Sequence, residues 1–323
     1  MPRQAPSIDS ETARRRRRAN LLQSLVLIAG MALLLAACGW IVAGWTGVLV
    51  AALVGGVSLA VSSHLSPRFM LRLFRARPLT HRDLPEVVEA VDLLAERAGL
   101  ERVPGIYYVS SPTLNAFSVG RGETAAVTVT TGLLRAMTLR ELIGILAHEI
   151  SHIRSNDVWV MGLADVISRL TRSLSFLGVL LLILNLPLAL AGQAQVSWIL
   201  VLLLVSAPTL GSLLQLALSR TREFEADLSA ARLTGDPVGL ARALDKLERI
   251  QGRFWEDIFL GGRRIPDPSL LRSHPKTADR VRRLLELRVD TPPLEAEDSK
   301  VWPHPRLPAL PPRPRHRASG LWY

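Results

Sequence analysis

The feature that most limits what this chain can fold into is a run from Leu21 to about Ser63 without one charged side chain. A helix crosses a bilayer core in about 20 residues, so the run is too long for one span and suits two. The turn between them falls at Gly44-Trp45-Thr46-Gly47, which leaves Trp40 and Trp45 at the lipid–water boundary, where indole rings are favoured. The basic stretch Arg14–Arg18 precedes the run, as in a signal peptide, but the apolar part is too long and no cleavage site with a polar start follows. A second charge-free stretch lies between Arg172 and Arg220 and again suits two spans, broken near Gly192-Gln193-Ala194-Gln195. Pro187 and Pro208 are tolerable there, because neighbouring helices can satisfy the freed carbonyls.

Composition matters through its segregation. The 49% hydrophobic and 21% charged residues look ordinary, yet the charges are excluded from two long stretches and crowd the rest, the pattern of a membrane-embedded protein with a soluble part. Much of the net charge of +11 comes from Arg14–Arg18 and the C-terminal tail. Arg68–Arg77, Arg169, Arg172, Arg220 and Arg222 also flank spans, and the two connections inside the hairpins carry no charge. The positive-inside bias therefore places every soluble segment in the cytoplasm. No aromatic residue interleaves with the arginines of Arg14–Arg18 and no known binding motif accompanies the basic termini, so nucleic acid is not an expected partner. Cys38 is the single cysteine, which excludes an intrachain disulfide framework and a thiolate zinc site.

Apolar residues recur at helical spacing from Pro85 to Leu100, with Gly99 as the stop. β-rich segments follow at Ile106–Val109, Asn115–Val119 and Ala126–Thr130, and Gly120-Arg121-Gly122 predicts a hairpin between the last two. Thr138 and Glu141 form a T-x-x-E capping box that starts a helix running through Ile153. A soluble helix is expected from Arg220 to about Leu233, then two more near Pro237–Gln251 and Lys276–Leu287. The chain divides into a basic arm (1–20), a transmembrane hairpin (21–66), the first part of a soluble domain (67–172), a second hairpin (173–218), the second part of that domain (219–290) and a tail (291–323). The tail is Pro-rich, basic and without apolar periodicity, which predicts disorder.

The chemistry is concentrated at His148-Glu149-Ile150-Ser151-His152. Positions i and i+4 of a helix project from one face, so two neutral imidazoles can grip one zinc ion. Glu149, beside the first imidazole, can take a proton from water activated there, the arrangement of a metal-assisted hydrolase. Leu142, Ile145, Leu146 and Ile150 supply a separate apolar face. A catalytic zinc needs a third protein ligand and an open position. Ser219 to Asp227 reads S-R-T-R-E-F-E-A-D, and Glu223 and Asp227 share a face. Glu223 can be the third ligand, with Asp227 orienting an imidazole through its distal N–H. Taken by itself, such a pair more often reads as two solvated acids of an Arg-rich helix, because charge clusters are usually solvated faces. Asp157, just past the motif, reads as a cap or a partner of Arg154.

With both motifs in view, the chain resembles the M48 family of membrane zinc metalloproteases, in particular the bacterial HtpX-like heat-shock proteases. That family pairs H-E-x-x-H with a downstream S-R-x-x-E-[FY]-x-A-D across a membrane hairpin, and both are complete here. The resemblance implies His148, His152 and Glu223 as ligands of one Zn²⁺, Asp227 as a supporting acid and Glu149 as the catalytic base. Leu114-Asn115-Ala116-Phe117 is similar to the family's N-A-F segment beside the cleft, which implies a substrate contact at Asn115. Ser273-His274-Pro275 is similar to its H-P motif, which implies that His274 stabilises an oxyanion or supports the ligands.

The resemblance implies an α+β, mostly helical, zincin-like domain with a small β-sheet, fused to about four transmembrane helices. It also implies an endopeptidase in the inner membrane of a bacterium that cleaves unfolded or damaged membrane proteins at the cytoplasmic face. Two other readings fit less well. An intramembrane protease of the site-2 type places its motif in an apolar helix and takes an Asp ligand from an apolar segment, whereas Arg140, Glu141, Arg154 and Asp157 flank this one and the second apolar stretch holds no acid. A non-catalytic metal-binding scaffold has no use for Glu149.

Overall fold

The computed structural model describes residues 10–64, 67–192, 197–259 and 277–287. It is mostly helical, with one small mixed sheet. Helix α1 (Ser10–His64) carries the first apolar run and breaks at Ala43 and Gly44, where Gly44 adopts φ 59°. The limbs on either side fold back so closely that a Cβ on Gly47 would lie 2.0 Å from the carbonyl oxygen of Gly39. The break is therefore the reversal of a hairpin. Trp40 and Trp45 pack edge to face beside it, with centroids 4.8 Å apart, and both are exposed.

The next elements are α2 (Pro67–Leu73), β1 (Arg77–Pro78), α3 (Pro85–Ala98), β2 (Gly105–Val109), β3 (Ala116–Val119), β4 (Ala126–Thr130) and α4 (Thr131–Ala136). The sheet order is β1-β2-β4-β3, with β2 and β4 parallel and both outer pairs antiparallel. The hairpin expected from Gly120-Arg121-Gly122 is the β3–β4 pair, and β3 is an edge strand. Helix α5 (Leu139–Arg154) follows and lies against β3 and β4.

Two long helices, α6 (Asp157–Leu190) and α7 (Trp198–Thr234), carry the second apolar stretch. Among the described residues, α1, α6 and α7 are long and apolar enough to cross a membrane. They pack on one another along a seam of small and polar residues of α6: Ser168, Thr171, Ser175, Gly178 and Asn185. Ser168 donates to Gln215 Oε1 at 2.8 Å. Small side chains let helix backbones approach, and paired polar groups hold them together in lipid. Helix α7 corrects one expectation. Residues Arg220–Leu233 are not a separate soluble helix but the continuation of the last span, because nothing at Ser219 caps or breaks the helix and Pro208 does not interrupt it. The third ligand candidate thus stands on a rod rooted in the membrane.

Helices α8 (Pro237–Phe259) and α9 (Thr277–Leu285) complete the described fold. The core of the soluble part joins α3, β2, β4, α5, the end of α7, α8 and α9, through Leu94, Val127, Val129, Leu142, Leu146, Ile150, Leu240 and Leu284.

Candidate metal centre

Helix α5 is fixed at its start and along its floor. Thr138 Oγ1 accepts from the Glu141 N–H at 3.3 Å, and the Glu141 carboxylate accepts from the Thr138 N–H at 2.8 Å. Lys246 of α8 donates to the same carboxylate at 2.8 Å. Gly144 lets α8 approach so closely that a Cβ there would sit 2.9 Å from Leu240 Cα. With Leu142, Leu146 and Ile150 fully buried, the opposite face of the helix, bearing His148, Glu149 and His152, cannot rotate away from its position.

Helix α7 crosses this face and brings Glu223 and Asp227 to it. His148 Nε2 and His152 Nε2 lie 3.1 Å apart, with the rings at 89°. Glu223 approaches at 3.4 Å from the first and 3.8 Å from the second. The candidate ligand atoms of His148, His152 and Glu223 all lie within 4.8 Å of one another. Ligand atoms about 2.0–2.2 Å from a tetrahedral ion are about 3.3–3.6 Å from each other, which is the scale found here.

Each imidazole is backed by a carboxylate, and each carboxylate by an arginine. His152 Nδ1 is 2.7 Å from Asp157 Oδ2, and Arg222 Nε donates to Asp157 Oδ1 at 2.5 Å. His148 Nδ1 is 3.1 Å from Asp227 Oδ1, and Arg280 of α9 donates to both Asp227 oxygens at 2.7 and 2.6 Å. Arg280 also lies 3.0 Å from Glu223. Asp157 thus supports His152 and pairs with Arg222. Asn156 turns the chain through a left-handed conformation, φ 56°, and this corner delivers Asp157, the first residue of α6, beneath His152.

The arrangement fits a cation. A carboxylate beside Nδ1 can only accept, so each neutral ring keeps its proton on Nδ1 and turns the lone pair of Nε2 inward. Two such lone pairs and the Glu223 carboxylate converge on one point, and only a positive charge settles them. Without a metal a proton takes that part. Burial disfavours the charged form of His148, but Asp227 and Glu223 outweigh it and push the imidazole up to about 10. A metal must displace this proton, so metal affinity rises with pH.

Glu149 is half-buried beside this cluster, within electrostatic reach of Arg280. Asn115 precedes β3; its main chain is pinned to Thr130 by hydrogen bonds of 3.0 Å, and its side chain is half-buried. His274 lies outside the described residues. Glu225 points away from the cluster and accepts from Asn20 Nδ2 of α1 at 2.8 Å. Sequence reasoning missed Arg280. Its signal was an arginine four residues before the fully buried Leu284, a cation on the apolar stripe of a short amphipathic helix.

Comparison with known proteins gives the family of the chain. The profile of Peptidase family M48 matches residues 78–288. The chain belongs to peptidase family M48. Its M48 relatives include the protease HtpX homolog of Burkholderia ambifaria, 32% identical over 292 residues that cover 83% of this chain and 97% of that protein. Protease HtpX of Legionella pneumophila is 34% identical over 285 residues, 82% of this chain and 98% of that one. The crystal structure of S. mikatae Ste24p aligns with 84% of this M48 chain and 66% of its own, at a TM-score of 0.45 and 21% identity. The chain is a membrane-associated, HtpX-like member of the family.

The Asp157 contacts lead to a prediction. Asp157→Asn should lower metal affinity about 10–100-fold, as loss of an imidazole's supporting carboxylate does. It also orphans Arg222, which is 7% exposed, and breaking such a buried pair costs about 3–5 kcal/mol. Adding Arg222→Met should therefore recover thermal stability but not metal affinity. Recovery of both together would mean that Asp157 serves only the fold.

Proposed function

We propose that this protein is a zinc-dependent endopeptidase acting at the cytoplasmic face of a bacterial inner membrane. The observation that carries this reading is the convergence of His148, His152 and Glu223, with each imidazole oriented by its own carboxylate and Glu149 adjoining. His148, His152 and Glu223 would hold a zinc ion, which would supply Lewis acidity toward the scissile carbonyl and water. Glu149 takes the proton of the attacking water and passes it to the leaving amine. Strand β3 lies beside α5 and has no strand on its outer side among the described residues, so an extended substrate can add to the sheet there, with Asn115 at its entry. His274 is proposed to assist charge stabilisation once substrate is bound.

The relatives named protease HtpX support the reading of a protease; that it removes unfolded or damaged membrane proteins is part of the proposal. Casein cleavage by the purified protein tests the reading. Cleavage should cease with a zinc chelator and return with added zinc. Cleavage that persists in a chelator, with zinc verified absent, contradicts it.

Topology has its own test. On the proposed reading, residues 20, 120 and 290 lie inside and residue 192 outside, as the positive-inside bias of the arginine-rich flanks suggests. Reporter fusions at these four points should read in that pattern. An external reading at 120 would carry the candidate site across the membrane.

A further inference from the structure

Helix α2 leaves the membrane-spanning hairpin two residues after α1 ends, and its faces divide sharply. Leu71 is buried. Phe69 and Leu73, an i/i+4 pair, are 57% and 63% exposed. Arg68 and Arg72 form a neighbouring i/i+4 stripe, and Arg75 follows at the left-handed residue that ends the helix. All three arginines are exposed, and among the described residues none has a carboxylate partner. An exposed apolar pair beside a row of free cations, at the mouth of a membrane span, matches the layered chemistry of a bilayer surface: acyl chains below, phosphates above.

The same helix holds the edge strand. Phe74, just past α2, packs on Phe117 in the middle of β3, with centroids 5.2 Å apart. At the other end Pro67 closes on the turn after β3, where a Cβ on Gly120 would lie 2.8 Å from Pro67 Cγ. The strand is therefore bracketed by an element whose own outer face, with Phe69 and Leu73 exposed, has no cover among the described residues.

We propose that α2 docks on anionic phospholipid headgroups through Arg68, Arg72 and Arg75, with Phe69 and Leu73 inserted below them, and that this docking sets the position of β3 and so the rate of cleavage. The rate clause rests on the proposed peptidase reading; the docking clause does not. Docking ties the substrate strand to the membrane surface, so the lipid composition of the leaflet becomes an input to the active site.

The test uses the full chain in nanodiscs of phosphatidylcholine, or of equal parts phosphatidylcholine and phosphatidylglycerol, and a peptide substrate of zero net charge. Neutrality keeps the lipid charge from concentrating the substrate. Cleavage should be about fivefold faster or more with the anionic lipid, the lower end of typical couplings between sites. Combined Arg68→Gln, Arg72→Gln and Arg75→Gln should remove the difference. Two nitroxide readouts do not depend on cleavage, each in a Cys38→Ala background. A label at Phe69→Cys should be accessible to oxygen and shielded from aqueous nickel in anionic discs. A label at Ser118→Cys in β3 should lose mobility there, and not in the triple variant. A label at 69 that stays open to water overturns the docking. A label at 118 that ignores lipid charge, or equal cleavage in both discs, overturns the coupling. If no disc supports cleavage, the peptidase reading fails, and the two labels still decide the proposal.

Discussion

Glu149→Gln is expected to abolish casein cleavage, by about 10²–10⁴-fold, the range for a removed general base, while the purified variant keeps its full complement of zinc. The change is nearly isosteric and replaces only the group that accepts the proton. Glu149 is half-buried, and its charge does not hold the metal cluster together, since Asp157 and Asp227 back the two imidazoles and Arg280 is paired to Asp227. The fold should therefore persist, read as unchanged thermal unfolding. Near-normal cleavage by a folded, zinc-loaded variant would remove Glu149 from the mechanism.

The second large effect separates three acids on one helix. Glu223→Gln should lose most of its metal, because a neutral amide is a poor ligand for a divalent ion. Asp227→Asn should lower affinity about 10–100-fold, since it supports His148 rather than touching the ion. Part of that loss will appear as instability, because Arg280, 6% exposed, loses one of its two acceptors on residue 227 and the negative charge opposite it. Glu225→Gln should keep its metal and its activity. A glutamine carbonyl can still accept from Asn20, and a step of two residues turns a helix by about 200°, away from the cluster. Zinc content and cleavage of the three purified variants give the order. A Glu225→Gln protein without metal would overturn the placement of Glu223.

What the sequence disclosed follows from the range of each signal. Helix α5 was legible to its ends because its cap, Thr138 with Glu141, and its apolar period are local. The first hairpin turn was legible because Gly44-Trp45-Thr46-Gly47 falls near the middle of an uncharged run too long for one span. The strand pair β3–β4 was legible from its glycine turn, whereas β1, two residues long, left no pattern to read. The continuity of α7 was hidden because Arg220 and Arg222 mimic the end of a span. Arg222 in fact turns inward to Asp157. Both arginines behind the carboxylates escaped notice for one reason. Arg222 and Arg280 meet partners 65 and 53 residues away, and nothing in local spacing predicts a contact of that separation. The contact of Asp157 with His152 escaped notice for a related cause, since it depends on the left-handed corner at Asn156.

The most direct measurement of the metal site is X-ray absorption at the zinc edge of the full chain, purified without added metal chelators. One zinc per chain is expected, with two imidazole nitrogens at about 2.0–2.1 Å, oxygen completing a four-coordinate shell, and no sulfur. His152→Ala should abolish the signal. A chain that carries no zinc after reconstitution, or a shell of three imidazoles, or one in which Glu223→Gln leaves the spectrum unchanged, would contradict the assignment of His148, His152 and Glu223.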